Sequence, residues 1–242
     1  MSDSNESPDF VPSPFDRFPG ENIEAGVVSG GDEPRLFGYS IDTDLGSHYS
    51  FEEIVFLLLT GELPKSPNVT KELATALVFA MPITIADASV HAARVGRHIA
   101  SISNNHASVV GTASVGLAEQ ARYELLQKAE FRDWLCGERT SPLPEAARAT
   151  NDADRARVEA FSKALPGCDE ARFAANISLD AAILTVLWDC GLREERQLLT
   201  ALVMCRLPVA VAEAYSVGDP RLWKYPLNLP QWVYEPGADR VL

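Results

Sequence analysis

Glu213 stands inside an apolar run: the segment PVAVAEAY, residues 208 to 215, holds it between Ala212 and Ala214. A charged side chain in such a setting needs a partner or a task, because an unpaired buried carboxylate is strongly disfavoured. The densest basic cluster is Arg94, Arg97 and His98. In an acidic chain, a carboxylate or a coenzyme A-type ligand would need such a cluster to approach; arginines at helical spacing also make an ordinary solvated face. Asp180 opens the apolar stretch LDAAILTVLWD. It reads either as a general base or as a charge favoured at a helix N-terminus. No metal or redox chemistry is indicated, since Cys136, Cys168, Cys190 and Cys205 have neither CxxC spacing nor histidine neighbours. Reduced structural thiols are expected, which favours the cytoplasm.

Helices must position these residues. In SFEEIVFLLLTGELP, residues 50 to 64, Ser50 and Glu53 make a capping box that predicts a helix start at Phe51. Gly61 suits the left-handed position after the last turn, and Pro64 prevents continuation. The same periodicity predicts helices near 69 to 80, 88 to 103, 106 to 130, 152 to 165, 176 to 190 and 194 to 216. Residues 25 to 42 mix valines with Gly30, Gly31 and Gly38, which suggests a brief hairpin or turn, and no alternating strand series follows. The fold class is therefore all-α. Residues 1 to 24, with Pro8, Pro12, Pro14 and Pro19, read as an extended arm. Residues 131 to 170 read as a reduced small subdomain between the parts of a large helical domain, 25 to 130 and 171 to 242, because 137 to 170 is the most polar stretch after the arm.

The 34 acidic residues outnumber the 21 basic ones, and a net charge of -13 repels nucleic acid and anionic lipid except at a local basic patch. The N-terminus has no basic start followed by an apolar stretch, and no run reaches the roughly 18 apolar residues of a membrane span. Neither nucleic acid nor membrane is expected as a partner. An apolar content of 46% is ample for a packed core.

The wording FGYSIDTDLGSHYSFEEIVFLLLTGELPKS resembles the opening of the citrate synthase superfamily, in which a glycine-tyrosine turn precedes a capped helix ending in G-E-L-P. SVHAARVGRHIASISNNHASVVGTASVGLAEQAR resembles the helix pair before that family's catalytic histidine. NISLDAAILTVLWDCGL is similar to its N-x-D segment, and CRLPVAVAEAY to its late R-x-x-G-W-x-A-H-x-x-E helix. In style the chain is nearest to short citryl-CoA lyase-like members. The resemblance implies an all-α fold of a large and a small domain. It also implies a homodimer and chemistry on a coenzyme A thioester, which enters as substrate rather than as a bound cofactor.

The family's catalytic set is not matched. Histidine occurs only at positions 48, 91, 98 and 106, and the H-G-G-A turn corresponds to LAEQA, residues 117 to 121. Glu119 therefore falls where the catalytic histidine would sit. It reads either as a protonated carboxyl that donates to a carbonyl or as a solvated partner of Arg122. The N-x-D aspartate aligns with Ser178, with Asp180 two residues on, and Glu213 takes the place of the late histidine. Arg155 in NDADRARVEAF resembles the carboxylate-gripping arginine of D-P-R-A. Substrate-binding candidates are thus Arg94, Arg97, His106, Arg155 and Asn176; His106 also reads as a capping or surface residue.

Two functions follow from these expectations. One is a divergent enzyme that makes or breaks a carbon-carbon bond between an acyl-CoA and a keto acid, using Glu119, Asp180 and Glu213. The other is a catalytically inactive homologue that binds a metabolite or a catalytic partner subunit. Small residues on the 88 to 130 helix pair, among them Ala92, Gly96, Gly111 and Gly116, allow close helix approach and suit a dimer.

Overall fold

The computed structural model describes residues 26–29, 32–84, 86–137, 139, 141–167 and 172–216. The expected arm over 1 to 24 and Cys168 lie outside the described residues. The chain divides into two compact units at the Ser50–Phe51 junction.

In the first unit, β1 (Val28–Ser29), β2 (Arg35–Leu36) and β3 (Tyr39–Ser40) form an antiparallel sheet in that order. Leu36 pairs with Tyr39 across a two-residue turn whose central residues, Phe37 and Gly38, both have positive φ, 49° and 84°. That turn matches the twist of a hairpin, as the glycine spacing predicts. The Ser40 hydroxyl accepts from the Thr43 N–H at 3.3 Å and starts a helical turn over Ile41–Leu45, which runs into α1 (Gly46–His48).

Among the described residues, the elements of the second unit are mainly helices: α2 (Phe51–Thr60), α3 (Pro67–Ala80), α4 (Ala88–Ser103), α5 (Ala107–Gln127), α6 (Ala129–Cys136), α7 (Asp152–Ala164), α8 (Leu179–Asp189) and α9 (Glu195–Ser216). α2 starts at Phe51 and ends as its sequence predicts. Gly61 lies at φ 82° and donates its N–H to the Leu57 carbonyl at 2.7 Å. The helix predicted over 106 to 130 is in fact two, because Lys128 leaves helical geometry at φ -108°, ψ 22° and α6 restarts behind it. α8 starts at Leu179 rather than near 176. Residues 147 to 149 bridge to 176 to 178, with Ala149 N–H on the Asn176 carbonyl at 2.7 Å and Ser178 N–H on the Ala147 carbonyl at 2.8 Å.

α8 is the centre of the larger core, buried along most of its length, so its N-terminal amides need partners inside the protein. Ser178 Oγ accepts from Ala181 N–H at 3.3 Å, and Asp154 Oδ1, from α7, accepts from Leu179 N–H at 3.1 Å. The second core joins α4, α5 and the end of α9 through Ala93, Ala100, Val109, Ala113, Leu117 and Ala210. The small residues work within the chain here. A Cβ on Gly96 would lie 2.2 Å from Thr112 Oγ1 and 2.6 Å from the Ser108 carbonyl, so α4 and α5 meet at backbone distance.

By length and composition α9 is able to cross a membrane, although Arg206 and Glu213 interrupt its apolar stretch. In this fold it packs against α3, α4 and α5.

Candidate functional site

Arg94, Arg97, His106 and Glu213 converge where α4, the start of α5 and the end of α9 meet. Arg94 donates to Glu213 Oε1 at 2.8 Å, with side chains 8% and 39% exposed, so the charge in the apolar run has its partner. Arg97 donates to the Ala214 carbonyl at 2.5 Å and lies 4.9 Å from the centre of the Tyr215 ring. Tyr215 in turn meets His106 Nδ1 through its hydroxyl at 2.6 Å. His106 precedes α5 without capping it by its side chain; Asn105 Oδ1 instead accepts from Ala107 N–H at 3.1 Å. Sequence reasoning missed Tyr215, whose only signal was its place two residues after Glu213.

The three carboxylates do not assemble. LAEQA lies inside the unbroken α5 rather than in a turn, and Glu119 is 73% exposed beside Arg122 at 3.7 Å. Asp180 is exposed in the first turn of α8 and borders a small cavity of about 20 Å³ with Glu124, Lys128 and Arg206. Arg206 is buried, donating to the Ala80 carbonyl at 2.9 Å and to Glu124 at 2.8 Å. Seven residues of helix, about 10 Å, separate Arg206 from Glu213 along α9. Arg206 was also missed, yet LVMCRLPV carries the signal that singled out Glu213, a charge inside an apolar run.

Arg155 and Asn176 do come together. They line one cleft of about 470 Å³ with Val158, Glu159, Ser162 and Lys163. Spacing places these α7 residues on one helix face, opposite residues 173 to 177. Phe161, behind the face, packs on Phe79 at 5.0 Å and Phe173 at 5.8 Å, which anchors both walls. Asn176 holds a left-handed φ of 61°, a conformation asparagine tolerates better than most side chains. Arg155 lies 2.6 Å from Asp152, side chains 54% and 95% exposed, and Lys163 pairs with Glu159. Exposed pairs of this kind are weak, so an incoming carboxylate can replace Asp152 on Arg155 at little cost. The cleft has the size of a small-molecule site.

The buried thiols are inert by contrast. Burial pushes Cys190 up to about 12 and Cys205 up to about 11. Among the described residues no group of histidine, cysteine and carboxylate side chains is arranged to hold a metal.

The citryl-CoA lyase of Hydrogenobacter thermophilus has a similar structure, with a TM-score of 0.57 over 89% of this chain and 95% of that one, at 18% identity. The fold is citrate synthase-like and all-α. No family model matches the chain, and no curated protein matches it in sequence. The likeness therefore lies in the path of the backbone, across a sequence in which fewer than one residue in five is shared.

Proposed function

We propose that this chain is a citrate synthase-like scaffold that binds a small di- or tricarboxylate in the cleft lined by Arg155, Lys163 and Asn176, without ordinary citrate synthase chemistry. The observation that carries this reading is the pairing of Arg155 with Asn176 across one cleft of about 470 Å³. One wall comes from α7, in the expected small subdomain, and the other from residues 173 to 177 of the expected large domain. A ligand there would draw the two together. The guanidinium of Arg155 offers a planar pair of donors to a carboxylate, and the Lys163 ammonium a second, point-like charge.

The absence of standard catalysis is supported by the separation of Glu119, Asp180 and Glu213. A positioned acid or base contributes roughly 100-fold to 10,000-fold, and a set that does not meet supplies none of it jointly. A second reading, carbon-carbon bond chemistry on an acyl-CoA with Asp180 as base, is favoured by the cavity that Asp180 shares with Arg206 and Glu124.

The test is a thermal-shift panel of citrate, oxaloacetate and acetyl-CoA on the wild type and on Arg155→Gln. A carboxylate at 100 times its Kd adds roughly 2.7 kcal/mol to the wild type, and the increment shrinks in the variant. No shift with any of the three overturns the reading in favour of a protein partner. Incubation with acetyl-CoA and oxaloacetate is expected to give no turnover; a rate of roughly 1 per second or more establishes an enzyme instead.

A further inference from the structure

We propose that the cavity at the C-terminal ends of α2 and α8 binds a free α-amino acid with an apolar side chain. The cavity measures about 390 Å³, within the range of small-molecule sites. It lies at the far end of α8 from the carboxylate cleft, across the eleven residues, about 16 Å, of that helix. Its floor is apolar, made by Phe56, Leu63, Val69 and the buried Cys190. Its exposed rim carries charges of both signs: Glu62 and Lys65 from the loop that follows α2, and Arg193 from the loop that follows α8.

These three charges are available to a ligand. Among the described residues, the side chains of Glu62, Lys65 and Arg193 enter no ion pair, whereas Asp189, the other charged residue of the lining, is already held by Arg139 at 2.8 Å and by Arg172 at 3.3 Å. The backbone that carries them is fixed. Thr60 Oγ1 donates to the Glu62 carbonyl at 3.0 Å and accepts from the Glu62 N–H at 3.3 Å. Gln197 Oε1 accepts from the Arg193 and Glu194 N–H groups at 2.9 and 3.0 Å. The Cys190 thiol, donating to the Val69 carbonyl at 3.6 Å, ties the end of α8 to α3 beneath the cavity. Charges set on an ordered backbone cost less to immobilise when a ligand arrives.

Unpaired charges of both signs around an apolar floor match the chemistry of a zwitterion with an apolar side chain. The Arg193 guanidinium offers a planar pair of donors to the α-carboxylate, and the Lys65 ammonium adds a second positive charge. The Glu62 carboxylate accepts from the α-ammonium, and the C-terminal ends of α2 and α8 at this cavity add partial negative charge on the same side of the balance. A di- or tricarboxylate would bring excess negative charge against Glu62, and a simple amine would face Lys65 and Arg193 without an anion to offer them. Each is disfavoured by the part of the site it leaves unmatched. The floor in turn accepts a leucine, methionine or phenylalanine side chain and penalises a charged one, which would lose its hydration there.

Isothermal titration of the full chain with L-leucine, L-methionine and L-phenylalanine tests the site, with N-acetyl-leucine and leucinamide as probes that each lack one of the two charges. At least one of the three amino acids should bind. Removing either charge from leucine, or mutating Arg193→Gln or Glu62→Gln, should weaken that binding at least about tenfold, the loss expected for one charge-assisted hydrogen bond. Both side chains are exposed and outside any ion pair, so helical circular dichroism stays unchanged in the variants, and the capped ligands test the same charges on the wild type. Arg155→Gln should bind the amino acid as the wild type does, which separates this site from the carboxylate cleft. Binding of none of the three overturns the proposal. So does binding that survives both caps, or binding that is lost in Arg155→Gln and kept in Arg193→Gln.

Discussion

At the scale of single residues, a charge placed where the surrounding sequence is apolar proved to be the informative signal. Glu213 and Arg206 both carry it, and both are held in ion pairs, to Arg94 and to Glu124. Removing the Glu213 carboxylate takes a charged partner from an Arg94 side chain that is only 8% exposed. Glu213→Ala should therefore cost about 1–3 kcal/mol in urea unfolding, and Glu213→Gln less, since its amide oxygen still accepts. Equal midpoints for the alanine variant and the wild type would deny the pair a structural role. The buried thiols make a second prediction. Cys190 and Cys205 stay protonated up to about pH 12 and 11 by virtue of burial, whereas in the unfolded chain they ionise near 9. The folded state thus holds protons that the unfolded state releases, and stability falls as the pH rises from about 9 toward 11. The slope is up to about 1.4 kcal/mol per pH unit and thiol. A Cys190→Ala/Cys205→Ala chain should show a shallower alkaline fall; identical slopes would contradict this. Neither carboxylate–arginine partner was legible, because each pair joins residues far apart in sequence, 119 positions for Arg94 and Glu213.

Helix boundaries were largely legible, since caps and periodicity are local. Phe51 and Gly61 bound α2, and Asn104, at φ 53°, ends α4 where the sequence predicts. The break at Lys128 was not legible, because no glycine or proline marks it; it arises where Phe131 and Leu135 of α6 turn into the larger core. The role of the small residues on α4 and α5 changed most. Their spacing allows close approach but does not say to which helix, and the structure uses Gly96 and Gly116 to bring α4 and α5 together. Gly96→Ala should cost about 1–3 kcal/mol, because its Cβ meets backbone of α5 that cannot step aside. Gly111→Ala, with open space around it, should instead raise stability by up to about 1 kcal/mol through helix propensity. Thermal melts of the two single variants test the pair, and a common direction of shift would refute the packing argument.

For the whole molecule, the α4–α5 pair still leaves Val95, Ile99, Ile102, Val110 and Val115 exposed after its internal packing is complete. We expect these faces to bury against a second copy, giving a homodimer in sedimentation at micromolar concentration; a monomer there would overturn the expectation. The carboxylate cleft is lined by residues of α7 and by residues 173 to 177, with none from α4 or α5. Arg155→Gln should accordingly lose the ligand response and leave the oligomeric state unchanged.

The amino-acid sequence alone determined which stretches are helical, where most of them stop, and that the class is all-α, because capping, periodicity and proline placement act over a few residues. It also carried enough of the G-E-L-P wording for a citrate synthase-like expectation that the backbone shares. Only the tertiary structure decided which of the marked residues meet. Arg155 and Asn176 face one cleft because residues 147 to 149 bridge to 176 to 178 and bring the start of α8 against α7. Glu119 faces solvent because Leu117 and Ala121, on either side of it, take the buried face of α5. Helix phase fixes which side chains share a face, but the neighbour that covers that face comes from the packing of the whole chain.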